Sequence, residues 1–297
     1  MSAANRLLIV DGHAYAYRSF HAIRSLHSPS GVPTNAIFGF IKALGKMQTQ
    51  LAPSHVAVIW DGGLHPERME QHPAYKAQRP PMPDSLEAQL SGITDWLKAA
   101  GLPSFCHDAV EADDWIAVLA RRFSGTMPVV IASADKDFLQ LVSPRVGLLN
   151  PNDKSEKIWT ADDVRAKTGV VPEQIVDWLC LIGDSVDNIP GVPGVGPKTA
   201  TDLLLQFGTI TALYARLAEV KSDRIRAALQ AAEPDVRRNQ RLIHLRDDAP
   251  EVQLGELSPR PADRERLRAL FAEWGFRGML AEVTATLDPA LEQGALL

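Results

Sequence analysis

The chain has 297 residues, 45% of them hydrophobic and 23% charged, which suits one large or two modest globular domains. No apolar run reaches the roughly 18 residues of a membrane span, and the opening MSAANRLLIVDG has neither the basic start nor the apolar length of a signal peptide. Cys106 and Cys180 lack motif spacing and the histidines form no zinc pattern, which points to a reduced cytosolic setting, while a net charge of −5 counts at first against a nucleic-acid partner.

In chain order, residues 6–10 (RLLIV), 56–60 (VAVIW) and 129–132 (VVIA) are short apolar runs without alternation, the pattern of parallel strands covered on both faces. Helical patterns lie over 36–50, 85–100 and 113–123. Strand–helix alternation predicts an α/β fold with a parallel sheet, whose ligand sits at the carboxyl ends of the strands. From about residue 161 the pattern is helical only: ADDVRAKTG, PEQIVDWLCLIG, KTATDLLLQFG and ITALYARL, several bounded by Gly or Pro. Residues 258–265 (SPRPADRE) read as a polar linker, 266–274 as a last helix, and the tail as fading after Glu282.

Each strand run ends at or near an acid: Asp11, Asp61 and Asp135. Further acids stand at element ends: Glu111, Asp113 and Asp114 in EADD, Asp137 in SADKD, and Asp184 and Asp187 in GDSVDN. Two carboxylates about 5 Å apart repel by roughly 3 kcal/mol at an effective dielectric of about 20, so a convergent set needs cations. Oxygen-only ligands select Mg²⁺ or Mn²⁺, and two such ions about 4 Å apart form a clamp for in-line displacement at phosphorus. These nine acids outweigh the net charge of −5, so the rest of the chain is net positive and open to phosphate.

GVPGVGPKT after the last acids is not a P-loop: Pro197 takes the lysine position, and no strand precedes it. A helix–glycine hairpin–helix instead lets main-chain N–H groups approach a phosphate backbone at Gly191, Gly194, Val195 and Gly196, with Lys198 and Thr199 in the next helical turn. Between the second strand and its following helix, HPERMEQHPAYKAQRPPMP places Arg68, His72, Lys76 and Arg79 on one helical face if Pro73 is tolerated, with Tyr75 available to stack a base. Its length suits an electropositive cover over the acid cluster. Arg18 is one more phosphate ligand, whereas Tyr15, Tyr17 and Phe20 read as packing residues.

LLIVDGHAYAYRSFHA, VAVIWDG, YKAQRPPMP, VEADDWIAVLA, SADKDFLQLV and GDSVDNIPGVPGVGPKTA, in this order, resemble the 5′→3′ exonuclease and flap endonuclease family, with the nearest likeness to the N-terminal 5′-nuclease domain of bacterial DNA polymerase I. The resemblance implies a PIN-like parallel sheet with helices on both faces, a helical arch over about 64–100, and an all-helical helix-three-turn-helix (helix-hairpin-helix) region. The expected division is a catalytic domain over 1–165, the hairpin region over 166–257, and linker, terminal helix and tail over 258–297. Asp11, Asp61, Glu111 and Asp113 would hold one Mg²⁺ and Asp135, Asp137 and Asp184 the second, with Asp114 and Asp187 acting directly or through water; Mn²⁺ would substitute. Lys76 and Arg79 would contact the scissile phosphate. Arg18 would assist them, Arg68 and Tyr75 would meet the DNA, and the hairpin would bind the duplex backbone and a monovalent ion such as K⁺. The implied protein is a stand-alone cytoplasmic monomer at the nucleoid, with no membrane association. It would cut DNA with a 5′ flap, a nick or an RNA primer, alongside a separate polymerase and ligase. An RNA-directed PIN nuclease and a non-catalytic scaffold for nicked or flap DNA are the alternatives. WDGG after the second strand and the HP pair in the arch depart from the family pattern.

Overall fold

Residues 7–10 and 56–59 are wholly buried, so the strands Ala4–Asp11 and Pro53–Ile59 carry covered faces on both sides, as their unbroken apolar runs require. They pair in parallel, Val10 opposite Val58, and Ser104–Phe105 adds a short parallel third strand beside Val58 and Ile59. The computed structural model describes residues 4–287. The chain divides into two units, the first made of Met1–Trp60, Pro81–Cys106 and Glu251–Leu297, the second of Asp61–Pro80 and His107–Pro250.

In the first unit the helices Gly12–Ala22, Asn35–Leu51 and Asp84–Ala99 supply the cover. Asn35–Leu51 buries Ile37, Phe40, Ile41, Leu44, Met47 and Leu51, a stripe at helical spacing. Thr34 makes no side-chain cap there; the buried Gln89 accepts from Ala36 N at 2.8 Å and donates to Asn35 Oδ1 at 3.0 Å, satisfying that helix end from a neighbouring helix. Helices Arg264–Trp274 and Arg277–Leu287 follow, so helix runs past Glu282 to Leu287; the rest of the tail predicted to fade lies outside the described residues. The expected linker is also pinned: Arg260 N donates to Gly101 O at 2.8 Å and Asp263 N to Ala99 O at 2.7 Å.

In the second unit Val129–Ala132 and Val146–Leu149 run parallel, with Ile158–Trp159 antiparallel to the latter. Helices Ala161–Thr168, Ile175–Ile182, Pro197–Phe207, Ile210–Ala215 and Asp223–Ile243 follow. The last of these has no clear helical signal in the sequence, where Pro234 stands mid-segment, yet its buried positions recur three or four apart, at Ile225, Leu229, Ala232, Val236, Asn239 and Leu242. A two-residue hairpin pairs Gly183–Asp184 with Ile189–Pro190. At its base, backbones touch without a side chain between them: a Cβ on Gly191 would lie 2.3 Å from Ile182 C, and one on Gly183, at φ +79°, 2.4 Å from Gly191 N.

The segment expected to be one basic helical face is not one helix. Its helix is Pro66–Gln71 only, ending at His72 in the non-helical conformation that a following proline favours. Residues 73–78 continue as turns, with Lys76 at φ +55°.

Candidate metal centre

Within the second unit, short local devices set each acid in place. Asp61, directly after the second strand run, accepts from Gly63 N at 2.7 Å. Asp135 caps the 3₁₀ turn Lys136–Leu141 with its side chain, whereas Glu111 stands at the N-cap position of the helix Ala112–Ser124 without a side-chain cap bond. Asp135 Oδ1 accepts from Asp137 N at 2.9 Å, and Asp184 Oδ1 from Val186 N at 2.9 Å.

Two acid groups result. Asp137, Asp184 and Asp187 each bring a carboxylate oxygen within 4.8 Å of the others. Asp137 Oδ1 is shielded from solvent and has no hydrogen-bond partner. Burial, followed by the charges of Asp135, Asp187, Asp113 and Asp184, pushes the Asp137 carboxyl well above its ordinary range. A sealed, unpartnered oxygen among like charges is what a hard divalent ion would satisfy, so the donor set fits Mg²⁺ or Mn²⁺. Burial also raises Asp187, against the opposing pull of Lys76 and Arg79.

The second group holds Asp61, Glu111 and Asp113. Burial raises the Asp61 carboxyl, with Gly63 N–H and Lys76 acting against it and Asp113 and Glu111 adding to it. Glu111 is fully buried. It accepts from Lys76 Nζ at 2.6 Å, Arg68 Nη1 at 2.8 Å, Tyr75 OH at 3.2 Å and His65 N at 3.2 Å. Burial alone would raise its pKa, but Lys76 and Arg68 overcome that and hold it down at about 2. Lys76 Nζ is also 3.5 Å from Asp113, and Arg79 pairs with Asp187.

The basic segment is therefore folded onto the acids. His72 Nε2 bonds Asn188 O at 2.9 Å, Asn188 Nδ2 donates to Ala74 O at 2.8 Å, and Lys76 N donates to Asp187 O at 3.0 Å, fastening residues 72–76 to the hairpin that carries Asp184 and Asp187. Lys76 and Arg79, expected at the scissile phosphate, stand against the acids here: Lys76 is buried with Nζ on Glu111, and Arg79 is half-exposed beside Asp187. Arg68 and Tyr75 differ from expectation: both are buried, Arg68 ion-paired and Tyr75 with its hydroxyl on Glu111, so neither presents a face to a base or a phosphate. No sequence signal marked that these cations serve the acids as counter-ions. Asp11 and Arg18 belong to the first unit, where Asp11 is buried and caps the helix Gly12–Ala22 by accepting from Ala14 N at 3.0 Å.

At the glycine hairpin, Gly194 has φ +80° and Gly196 is the N-cap of the helix Pro197–Phe207 with nothing within 4 Å of an added Cβ. Lys198 is exposed and Thr199 half-buried. Val195 turns its side chain inward, and its N–H closes on Val192 O at 3.0 Å. The open main chain here is at Gly194 and Gly196.

Comparison with known proteins agrees along the chain. The family model of the 5′-3′ exonuclease N-terminal resolvase-like domain matches residues 6–169, and that of the 5′-3′ exonuclease C-terminal SAM fold matches 170–265. A 5′-3′ exonuclease of Aquifex aeolicus is 37% identical over 93% of this chain and 94% of its own length. DNA polymerase I of Bacillus caldotenax is 37% identical over 94% of this chain, which spans 32% of that protein. Among solved structures, zinc-bound T5 5′-exonuclease aligns with a TM-score of 0.68 at 22% identity, over 95% of this chain and 98% of that one. The catalytic core of Rad2 with a DNA substrate aligns at 0.64 and 17% identity, over 95% and 93%. These likenesses carry the fold: a mostly parallel sheet with helices on both faces and a helical C-terminal region. The chain belongs to the 5′-3′ exonuclease family.

Proposed function

We propose that this chain is a metal-dependent, structure-selective 5′ nuclease that hydrolyses phosphodiester bonds at 5′ ends on duplex DNA. The observation that carries the reading is the Asp137, Asp184 and Asp187 cluster with its sealed, unpartnered oxygen, set among Lys76 and Arg79. The family membership and the metal-bound and DNA-bound relatives support it.

Asp137, Asp184 and Asp187, with Asp135, would hold one Mg²⁺; Asp61, Glu111 and Asp113 would hold the second, and Mn²⁺ would serve in its place. Such ions lower the pKa of an attacking water and neutralise charge that builds on the phosphate. The chain's own part is positioning. Arg79, half-exposed beside Asp187, supplies a cationic N–H donor where charge gathers on the phosphate, and Lys76, buried against Glu111, would join it once a metal ion takes over that carboxylate. Gly194, Gly196 and Lys198, at the N-terminus of an eleven-residue helix, hold a backbone phosphate without reading sequence. His72, Ala74 and Asn188 tie the basic segment to the acid-bearing hairpin, so gripping the duplex and placing the cut are one event.

The substrates in this reading are 5′ flaps, nicks and RNA primers, handed on to a polymerase and a ligase, and K⁺ sits at the glycine hairpin. The protein acts as a monomer in the nucleoid, with the catalytic, hairpin and terminal regions divided at about residues 165 and 257. Among the described residues no helix is long and apolar enough to cross a membrane. The test is cleavage of a 5′-labelled flap duplex with Mg²⁺, with EDTA, and with Asp137→Ala. Mg²⁺-dependent cutting near the junction, absent in both controls, is expected; tight binding without cutting in Mg²⁺, or in Mn²⁺ put in its place, refutes the enzyme reading in favour of a scaffold.

A further inference from the structure

Arg68 and Asp114 stand apart from the rest of the centre by how completely they use each other. A guanidinium has five N–H donors. In Arg68, Nε donates to Leu242 O at 3.2 Å; Nη1 donates to Glu111 at 2.8 Å and Asp114 Oδ2 at 2.7 Å; Nη2 donates to Asp114 Oδ1 at 2.8 Å and His244 O at 3.4 Å. Every donor is taken, and the residue is 3% exposed, so none remains for a phosphate. Asp114, 2% exposed, gives both oxygens to Arg68, and Oδ1 also accepts from Arg246 N at 2.9 Å.

The partners span three pieces of chain: the helix Pro66–Gln71, the N-terminal turn of Ala112–Ser124, and the residues ending Asp223–Ile243. Two flanking contacts follow the same line. Arg246 Nη1 donates to Glu67 at 2.6 Å, and Arg241 Nε to Gln71 at 3.3 Å. The bidentate fork fixes orientation as well as distance.

We propose that Arg68 and Asp114 are positioning residues: a buried clasp that fastens the start of the basic segment to the end of the long helix and so sets Lys76 and Arg79 over the phosphate. On this reading Asp114 is not a metal ligand and Arg68 is not a DNA contact. The inference rests on the nuclease reading for its kinetic readout, but its metal readout is independent of activity.

Mn²⁺ binding by calorimetry and steady-state cleavage of a 5′-flap duplex are measured for Asp114→Asn, Arg68→Lys, their double variant, and Asp113→Asn. Asp113→Asn is expected to weaken or remove one bound Mn²⁺, whereas Asp114→Asn keeps the stoichiometry, with affinity within about threefold, and lowers kcat about tenfold or more, as loss of a geometric constraint does. Arg68→Lys, which keeps charge but loses the fork, should match Asp114→Asn, and the double variant should be no worse than either single one, as coupled partners require. Loss of a bound Mn²⁺ in Asp114→Asn, or additive kinetic losses in the double variant, overturns the clasp. Unchanged Mn²⁺ binding in Asp113→Asn counts against the metal-centre reading instead. If Asp114→Asn does not fold, Arg68→Lys decides alone: wild-type kcat overturns the clasp.

Discussion

Removing the charge of Glu111 has an effect that can be worked out from its surroundings. The carboxylate is fully buried, 2.6 Å from Lys76 Nζ and 2.8 Å from Arg68 Nη1, and these cations hold its pKa at about 2 against an ordinary 4.5. A depressed folded-state pKa contributes stability that is complete above the unfolded value and is lost as pH falls through the folded one. At about 1.4 kcal/mol per pH unit, that depression is worth about 3 kcal/mol. In EDTA, Glu111→Gln should therefore be about 3 kcal/mol less stable than wild type at pH 7, with the gap narrowing to about half by pH 3. Urea unfolding followed by far-ultraviolet circular dichroism from pH 7 to 3 measures both curves. Curves that stay parallel between pH 5 and pH 3 would refute the claim that Lys76 and Arg68 neutralise this acid.

Arg79→Ala removes a half-exposed donor from Asp187 and should lower single-turnover cleavage about 100-fold, with little change in flap affinity; an affinity loss without a rate loss would make Arg79 a binding residue only. Lys198→Ala should weaken nicked-duplex binding alike for all sequences and reduce the slope of log affinity against log salt by about 1; fluorescence anisotropy across a salt series reads this directly. Gly191→Ala places a methyl 2.3 Å from Ile182 C and should cost about 2 kcal/mol or more, visible as a lowered urea midpoint, because the obstructing atoms are backbone and cannot rotate away.

The acids were legible because chemistry and backbone geometry coincide: a buried parallel strand must end where a polar group can reach the ligand crevice, and Asp61 and Asp135 mark such ends. The apolar stripe of Asn35–Leu51 was legible for the same kind of reason, one face at one period. Arg68 and Tyr75 were misplaced because their sequence neighbourhood is rich in charge and proline, and charge does not distinguish a solvated cation from one matched to buried acids far along the chain. Glu111 is 43 positions from Arg68, and Leu242 is 174. Pro73 decided the local conformation against the four-residue spacing of the basic residues. The short strands Ser104–Phe105 and Ile158–Trp159 carry too few residues to display a period.

Gly183 and Gly191 meet main chain to main chain, and Asp184 follows Gly183 directly. Side chains in a packed layer can rotate and absorb strain; two apposed peptide backbones have no such cushion. The loop at 191–196 and the carboxylate at 184 therefore share one backbone contact, with no side chain between them that could give way. A side chain added at either glycine would have to move the backbone of the other, so the loop and the acid-bearing turn cannot be repacked independently.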